Sequence, residues 1–411
     1  MRKSSVALTV VALVLFLLAS TAAAKTRVTY WLWLDDPTDT TVQELVEEFN
    51  RLHPDIEVVT ETIPLANYYD QLLMAISGGG GPDAARFKDW WLGAFYDADL
   101  LEDLSPYIAN WPGADDVVPN LWNTGMIPGV DGIFMLPHQY ITFYLYYRAD
   151  WFAEAGLNPP RTFDEFLEAA LKLTDPANNR YGFGLRGGAG GQDQWLAFMV
   201  AGGARIVDEA GNIVINSPKA VEVNQWYIDL YRKHQVAPPS APTDAYAQVV
   251  GAFQAGNTAM MAHHVGSSVM MTDVFGDNVG VLPIPAADPE NPATMGTMSG
   301  NVVFSTADVK DAAFKFISWL SEHEAMDKWS KSRQGQLPVL QSVAEQDYYT
   351  QNEFFRVSLE GGNYAIVWPP LPGTGYVASY VWQNTMQRAL LGEITSQQML
   401  DEIAKALREG N

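Results

Sequence analysis

The segment FMLPHQYITFYLYYRADWFAEAGLNPPRTFDEF, Phe134 to Phe166, decides the fold of this chain. Its first part, Tyr140 to Tyr147, is apolar, β-branched and aromatic, and reads as a buried strand. Arg148-Ala149-Asp150 then opens a short amphipathic helix, Trp151 to Ala155, which Gly156 stops. Pro159 and Pro160 hold the following residues extended. Thr162 is placed to cap a further helix, and Glu165 three residues on completes a capping box.

The same alternation runs outward in both directions. Upstream, Val28 to Leu34 reads as a strand and Thr40 to Leu52 as a helix with Val42, Leu45, Val46 and Phe49 on one face. A strand from Ile56 to Val59, a helix from Tyr68 to Ile76 and a strand from Ala84 to Phe87 follow. This β, α, β, α, β order is the signature of a parallel sheet covered by helices. Gly78 to Gly81 follow a helix, and no Lys-Ser/Thr comes after them, so they read as a helix end and loop, not a phosphate cradle. Downstream, helices are expected over Thr162–Lys172, Ser217–Arg232, Val249–Ala255, Asp311–Leu320 and Glu324–Ser330, with a final pair between Ser379 and Arg408. Strands are expected at Tyr181–Leu185, Thr258–Ala262 and Val279–Pro283. Asp208 to Asn212 is expected to turn a hairpin, and Tyr364 to Trp368 to run extended.

Bulk properties narrow the function. Arg2 and Lys3, the apolar run Val6 to Ala19 and the small residues Ala22-Ala23-Ala24 form an export leader, with cleavage near Ala24/Lys25. The run falls short of the ~20 residues that span a bilayer. There is no cysteine, which excludes disulfides, thiolate metal sites, cysteine nucleophiles and an acylated N-terminal cysteine. The net charge of -23 disfavours nucleic acid and anionic lipid as partners. The 411 residues suggest two or three compact units. Aromatics are plentiful, 13 Trp, 18 Tyr and 18 Phe; many must be core, and a surplus of tryptophan is also what a carbohydrate-binding cleft would use.

Several motifs, in order, resemble family 1 extracellular solute-binding proteins, the sugar receptors of ABC importers. They are Pro82-Asp83; Leu136-Pro137 with Tyr146-Tyr147-Arg148-Ala149-Asp150; Pro160 with Thr162-Phe163-Asp164-Glu165; and Phe253, Gly256, Ala259 and Met260. Leu282-Pro283-Ile284-Pro285, a glycine-rich loop from Gly296 to Asn301, Ala313, Phe316 and Leu320, Gly335 to Pro338, and Ala389-Leu390-Leu391-Gly392 complete the set. His263-His264-Val265-Gly266 and Arg148 depart from the usual pattern. The resemblance implies an α/β, two-lobed periplasmic-binding-protein fold (type II-like), each lobe a mostly parallel sheet flanked by helices, with hinge crossings. Lobe 1 is expected to hold 25–138 plus 283–333, and lobe 2 139–282 plus 334–411. The expected partners are a carbohydrate ligand and the membrane permease subunits of an ABC importer; the protein is expected to be periplasmic, monomeric, free of cofactors and not an enzyme.

Ligands of such sheets sit beyond the carboxyl ends of the strands. Trp33 and Asp35 follow the first strand, and Asp89 and Trp90 the third. The resemblance places Gln139 and Tyr140 at the first interlobe crossing. Arg186 and Trp195 flank a glycine loop, where Arg186 is suited to paired hydrogen bonds with hydroxyls or to an anionic group. One histidine of the His263-His264 pair, His264, is a hydrogen-bonding candidate. Adjacent histidines of a strand point to opposite sides, which disfavours a shared metal ion. In the family, the Met298-to-Asn301 loop lines the cleft, suggesting Ser299 and Asn301, and the Trp368-to-Tyr376 segment supplies a stacking platform, suggesting Trp368 and Tyr376. Two alternatives stay open: a secreted carbohydrate-active enzyme, and the same fold binding a polyamine, phosphate ester or ferric ion.

Overall fold

The computed structural model describes residues 25–333 and 335–409; the leader and its cleavage position lie outside them. Two sheets organise the chain. The first contains β1 (Thr26–Leu32), β2 (Ile56–Thr62), β3 (Ala84–Lys88), β4 (Leu136–Thr142), β9 (Thr294–Val303) and β10 (Leu337–Pro338), in the order β10-β4-β9-β3-β1-β2, with β11 (Ala365–Ile366) beside β9. The second contains β5 (Tyr144–Arg148), β6 (Tyr181–Phe183), β7 (Thr258–His263) and β8 (Val279–Pro283), in the order β6-β7-β5-β8.

In the first sheet β9, with the short β10 and β11, runs against β1 to β4, and in the second β5 runs against β6, β7 and β8. β1 pairs parallel with β2 and β3, while β9 lies antiparallel between β3 and β4, so β1 to β4 share a direction. In the second sheet β5 is antiparallel to both β7 and β8, and β6 is parallel to β7. The reversed strand is, in each case, the one arriving from the other sheet's part of the chain: β5 follows β4, and β9 follows β8.

The opening segment therefore differs from its sequence reading in one respect. Tyr140 to Tyr147 is not one strand; it changes sheets at Phe143. β4 pairs with β9 up to Thr142, and β5 pairs with β7 and β8 from Tyr144 onward. Phe143 stays bonded through the change: its N–H donates to the Met295 carbonyl at 3.0 Å, and Thr294 Oγ1 donates to its carbonyl at 2.6 Å. An apolar run keeps its hydrophobicity on both sides of a crossing, so hydropathy does not mark the break.

The glycine-rich segment Gly296 to Asn301 is likewise not a loop; it lies inside β9, every residue of which is buried. Gly300 shows why glycine is used in a central strand. A Cβ there would come within 2.6 Å of the Leu136 carbonyl oxygen and 2.4 Å of the Met135 side chain. β4 presses against β9 at this point, where its register shifts between Pro137 and Gln139.

Other expectations hold locally. Thr162 Oγ1 accepts from the Glu165 N–H at 3.2 Å and Glu165 Oε2 from the Thr162 N–H at 3.1 Å, closing the capping box of the Phe163–Leu173 helix. Gly79 and Gly81 adopt φ of +75° and +95°, conformations that end the Leu65–Ser77 helix and turn the chain toward β3. The hairpin around Asp208 to Asn212 is reduced to a single bridge, Val207 to Ile213. Among the described residues no helix is long and apolar enough to cross a membrane.

Candidate functional site

β1 ends at Leu32, β3 at Lys88, β6 at Phe183 and β7 at His263. The residues just beyond these carboxyl ends come together where the two sheets meet. Asp35, Lys88, Arg186, Asp193 and His264 stand near enough to act on one another's charge across that junction.

On the first sheet, Trp33 is buried against Tyr68 and Trp91, with edge-to-face centroid distances of 5.2 and 5.9 Å. The Arg86 guanidinium lies 4.1 Å from the Trp33 ring centroid, donates to the Trp33 carbonyl at 2.9 Å, and meets Asp35 at 3.1 Å. Gln336 also donates to Asp35, at 3.3 Å. Burial works to raise the Asp35 pKa, but Arg86, Lys88 and His264 outweigh it and hold Asp35 below the usual carboxylate range. Lys88 Nζ lies 5.2 Å from the Trp33 ring and 5.3 Å from the Trp90 ring. Burial lowers its pKa, with Asp35 the largest opposing influence.

Asp89 has its oxygens committed within the lobe. It accepts from Thr297 Oγ1 at 2.9 Å, from the Met298 N–H at 3.1 Å and from the Trp90 N–H at 3.0 Å, pinning the turn after β3 to β9. Burial nonetheless pushes its pKa up to about 6.

Lys88, Ser299 and Gln139 form one cross-strand row, since Ser299 is the register partner of both others. All three side chains therefore stand on one face of the sheet. Tyr140, next along β4, faces the other way; its ring lies 3.4 Å from where a Cβ of Gly362 would stand. Asn301, one row on, accepts from Tyr30 Oη at 2.6 Å. His138, the extra residue at the irregularity of β4, packs edge-on to Trp329 at 4.8 Å. Burial, reinforced by Arg86, lowers its pKa to about 3.

On the second sheet, the glycine loop serves its own packing. A Cβ on Gly187 or Gly188 would run into the backbone of 241–244, and one on Gly190 would strike the Arg186 guanidinium. Arg186 folds back to donate through Nε to the Ala189 carbonyl at 2.9 Å. Trp195 is fully buried in the Gly191–Ala201 helix; its Nε1 donates to Asn224 Oδ1 at 2.8 Å, and its ring lies between Trp368 and Trp382 at 6.4 and 6.1 Å. Trp368 in turn donates to Asp193 Oδ1 at 3.3 Å. Burial raises the Asp193 pKa to about 6 against the pull of Lys88 and Arg186. Tyr376 stands apart: it is 39% exposed, beside Tyr380 at 5.7 Å.

The two histidines do not point to opposite sides as a continuous strand would place them. β7 ends at His263, and His264 opens a tight turn by accepting the Gly266 N–H at 3.1 Å on Nδ1. The chain bends, and the rings lie 4.2 Å apart at 33°. Burial lowers both pKa values, that of His264 to about 4, so both rings are neutral near pH 7. Among the described residues no group of three or more His, Asp or Glu stands close enough to hold a metal ion.

Several buried polar atoms in this region have no hydrogen-bond partner among the described residues. They are Trp33 Nε1, Arg86 Nε, both amide atoms of Gln139, Gln192 Oε1, Ser299 Oγ and Gln336 Oε1. Native proteins pair the large majority of such groups, so a concentration of them calls for an explanation. Of these residues the sequence names Trp33, Gln139 and Ser299 as candidates; it does not single out Gln192, nor Lys88 and Asp193 beside them. Two cations at alternate positions of an otherwise apolar strand, Ala84-Ala85-Arg86-Phe87-Lys88, were the available signal.

This geometry matches that of known proteins. Residues 35–327 match the family model for bacterial extracellular solute-binding proteins. A binding protein of Brucella abortus is 27% identical over 373 residues, covering 89% of this chain and 88% of the relative. The maltotriose-binding protein of Pyrococcus abyssi is 27% identical over 310 residues, 73% of this chain and 64% of the relative. The crystal structure of an ABC transporter solute-binding protein from Thermotoga lettingae, bound with α-D-tagatose, superposes with a TM-score of 0.85 at 25% identity, covering 94% of this chain and all of the other. Carboxyl ends of two sheets converging on a shared junction, and a match spanning most of the chain, lead to one assignment: this protein belongs to the bacterial extracellular solute-binding protein family.

Proposed function

We propose that the protein captures a mono- or oligosaccharide, or a sugar derivative, between its two lobes and delivers it to the permease subunits of an ABC importer, without altering it chemically. The observation that carries this reading is the set of buried polar atoms lacking protein partners along the first sheet, at Trp33, Arg86, Gln139, Ser299 and Gln336, with Gln192 of the Gly191–Ala201 helix adding one more. A hydroxyl-rich ring offers donors and acceptors along its edge and C–H groups on its faces, so it satisfies both kinds of wall at once. The maltotriose and tagatose named for the two similar proteins belong to this chemical class.

Within this proposal the lobes comprise 25–138 plus 283–333 and 139–282 plus 334–411, hinged about Phe143, 284–293 and the residues around Gln336. Trp33, Asp35, Trp90, Gln139, Arg186, His264 and Ser299 line the cleft; Asp89, Asn301, Trp195 and Trp368 fix the walls behind them. A ligand touching both lobes shifts the hinge equilibrium toward the closed form, which the transporter distinguishes. In this reading the chain is exported by a cleavable leader and works in the periplasm as a monomer.

A thermal-shift panel of neutral sugars and polyols tests the reading, followed by chromatography of the incubated ligand. The expected result is stabilisation by at least one sugar, recovered intact. Stabilisation only by a polyamine, phosphate ester or ferric ion refutes the sugar assignment, and accumulation of hydrolysis products refutes the receptor assignment.

A further inference from the structure

We propose that segment 368–380 is a latch. Carried by lobe 2, it reaches lobe 1 at Tyr69, Asp70, Trp91 and Gly93, holds part of the ligand-free population closed and slows ligand release. This inference rests on the two-lobed reading above and assigns a conformational control to that same cleft.

The segment is anchored to the lobe that carries it. Trp368 packs beside Trp195 at 6.4 Å and donates to Asp193 Oδ1 at 3.3 Å, and both partners belong to the Gly191–Ala201 helix. Gly373 lies on the Ser396–Glu409 helix, where a Cβ would come within 2.4 Å of the Ala406 carbonyl oxygen. Thr374 Oγ1 donates to the Pro369 carbonyl at 2.6 Å and the Thr374 N–H to the Leu371 carbonyl at 3.0 Å, which folds 369–374 into a tight turn. The chain then enters the π-helical stretch Val377–Val381, a rare geometry that recurs at functional sites. Trp382 follows and returns to Trp195 at 6.1 Å.

The other side of the segment meets lobe 1 at close range. A Cβ on Gly93 would stand 2.7 Å from the Pro370 carbonyl oxygen and 3.0 Å from the Leu371 carbonyl, so glycine is what lets the two backbones approach. A Cβ on Gly375 would stand 3.3 Å from the Tyr69 ring and 3.4 Å from Trp91. Farther along, Tyr380 Oη donates to the Asp70 carboxylate, a charge-assisted bond. Trp91 adjoins Trp90, so the movement that seats Gly375 also brings lobe 2 toward the proposed ligand. Tyr380 and Asp70 stand exposed at the rim, and neither is among the residues proposed to line the cleft. An exposed bond is modest in strength. The latch therefore biases the hinge equilibrium, and ligand completes closure.

The experiment uses the full mature chain. It has no cysteine, so Leu52→Cys and Leu171→Cys place one spin label on each lobe at exposed positions. Pulsed electron spin resonance then measures the distance between the labels. Ligand-free wild type is expected to show a major longer distance and a minor shorter one, and saturating D-tagatose or maltotriose to leave the shorter. Tyr380→Phe and Asp70→Asn are each expected to reduce the minor ligand-free population by about threefold or more, and to speed probe dissociation in stopped flow by a similar factor. The double variant should match either single one, because all three break the same bond. Gly93→Ala sets a methyl group against the Pro370 and Leu371 backbone and should abolish the shorter ligand-free distance. A single ligand-free distance in wild type overturns the inference. So does an unchanged minor population in Tyr380→Phe and Asp70→Asn, even with faster dissociation, since that pattern marks a ligand contact and not a latch. Both results leave sugar capture standing. If no sugar binds, sugar capture falls, and the ligand-free distances of the variants still support or overturn the latch. Should Gly93→Ala not fold, the two exposed substitutions decide the question.

Discussion

Single residues at the junction are held by bonds that the rest of their lobe supplies. Trp195 illustrates this: its indole N–H reaches Asn224, whose amide nitrogen in turn bonds Ser396 at 3.0 Å. Asn224→Ala leaves a buried indole donor unpaired, which is expected to cost about 1–3 kcal/mol. Urea denaturation measures it, and an unchanged midpoint would show that the Trp195 bond contributes nothing. Trp33 is anchored differently, by ring contacts and by Arg86 over its face, while its own Nε1 has no partner. Its place after the first strand is what makes it a ligand candidate in the sequence. Asp89, chosen on the same logic, accepts three bonds from its own lobe. Position after a strand is legible in a sequence; which neighbours a carboxylate meets depends on β9, more than 200 residues away.

At the scale of elements, close approach and capping set the geometry. Gly300→Ala puts a methyl group against the Leu136 carbonyl and the Met135 side chain. Because backbone supplies one of those contacts, β4 and β9 must separate or shift, at an expected cost of about 1–3 kcal/mol. Since Gln139 and Ser299 sit on the same strand pair, ligand affinity should fall along with stability. A titration showing weakened stability but unchanged affinity would detach the row from the binding site. Thr162→Ala is the contrasting case. It removes one side-chain bond of an exposed capping box that includes none of the residues proposed to line the cleft, and is expected to cost about 1 kcal/mol with affinity unaltered. The capping box was readable because it is local in sequence. The change of sheet at Phe143 was not, because Tyr140-Ile141-Thr142-Phe143-Tyr144 is apolar throughout and only pairing partners far along the chain divide it. Nor was the strand character of Gly296 to Asn301, where glycine reads as a loop signal unless the neighbouring strand is known to press on it.

Over the whole molecule, several titrating groups converge where the sheets join. Burial lowers the pKa values of His138, His263 and His264 below the ordinary 6.5. The stability tied to these neutral histidines is present above that value and is lost as pH falls from 6.5 toward about 4, because the unfolded chain then binds protons that the folded chain refuses. Asp89 and Asp193 act in the opposite sense: with folded values near 6, their contribution is present at low pH and is lost as pH rises from 3.8 to about 6. Three histidines outweigh two aspartates here, so the melting temperature of the ligand-free protein is expected to drop between pH 6.5 and 4. His264→Gln should flatten that slope, as differential scanning fluorimetry across pH will test; an unchanged slope would place the effect elsewhere. Hinged closure makes a further prediction at this scale. The radius of gyration measured by X-ray scattering should shrink when a sugar that raises the melting temperature is added, and a constant radius would refute ligand-driven closure.

The sequence alone determined what is local or periodic: the alternation of strands and helices, the capped helix at Thr162, the turn through Gly79 and Gly81, and the acidic, cysteine-free character of the chain. Ordered motifs also sufficed to place it among solute-binding proteins. Tertiary structure alone decided which sheet each half of the 136–148 run joins, and that Asp89 is engaged by Thr297 and Met298 of β9. Those outcomes depend on contacts between residues a hundred or more positions apart. Such contacts are fixed by the packing of the two sheets and leave no periodic trace in the order of amino acids.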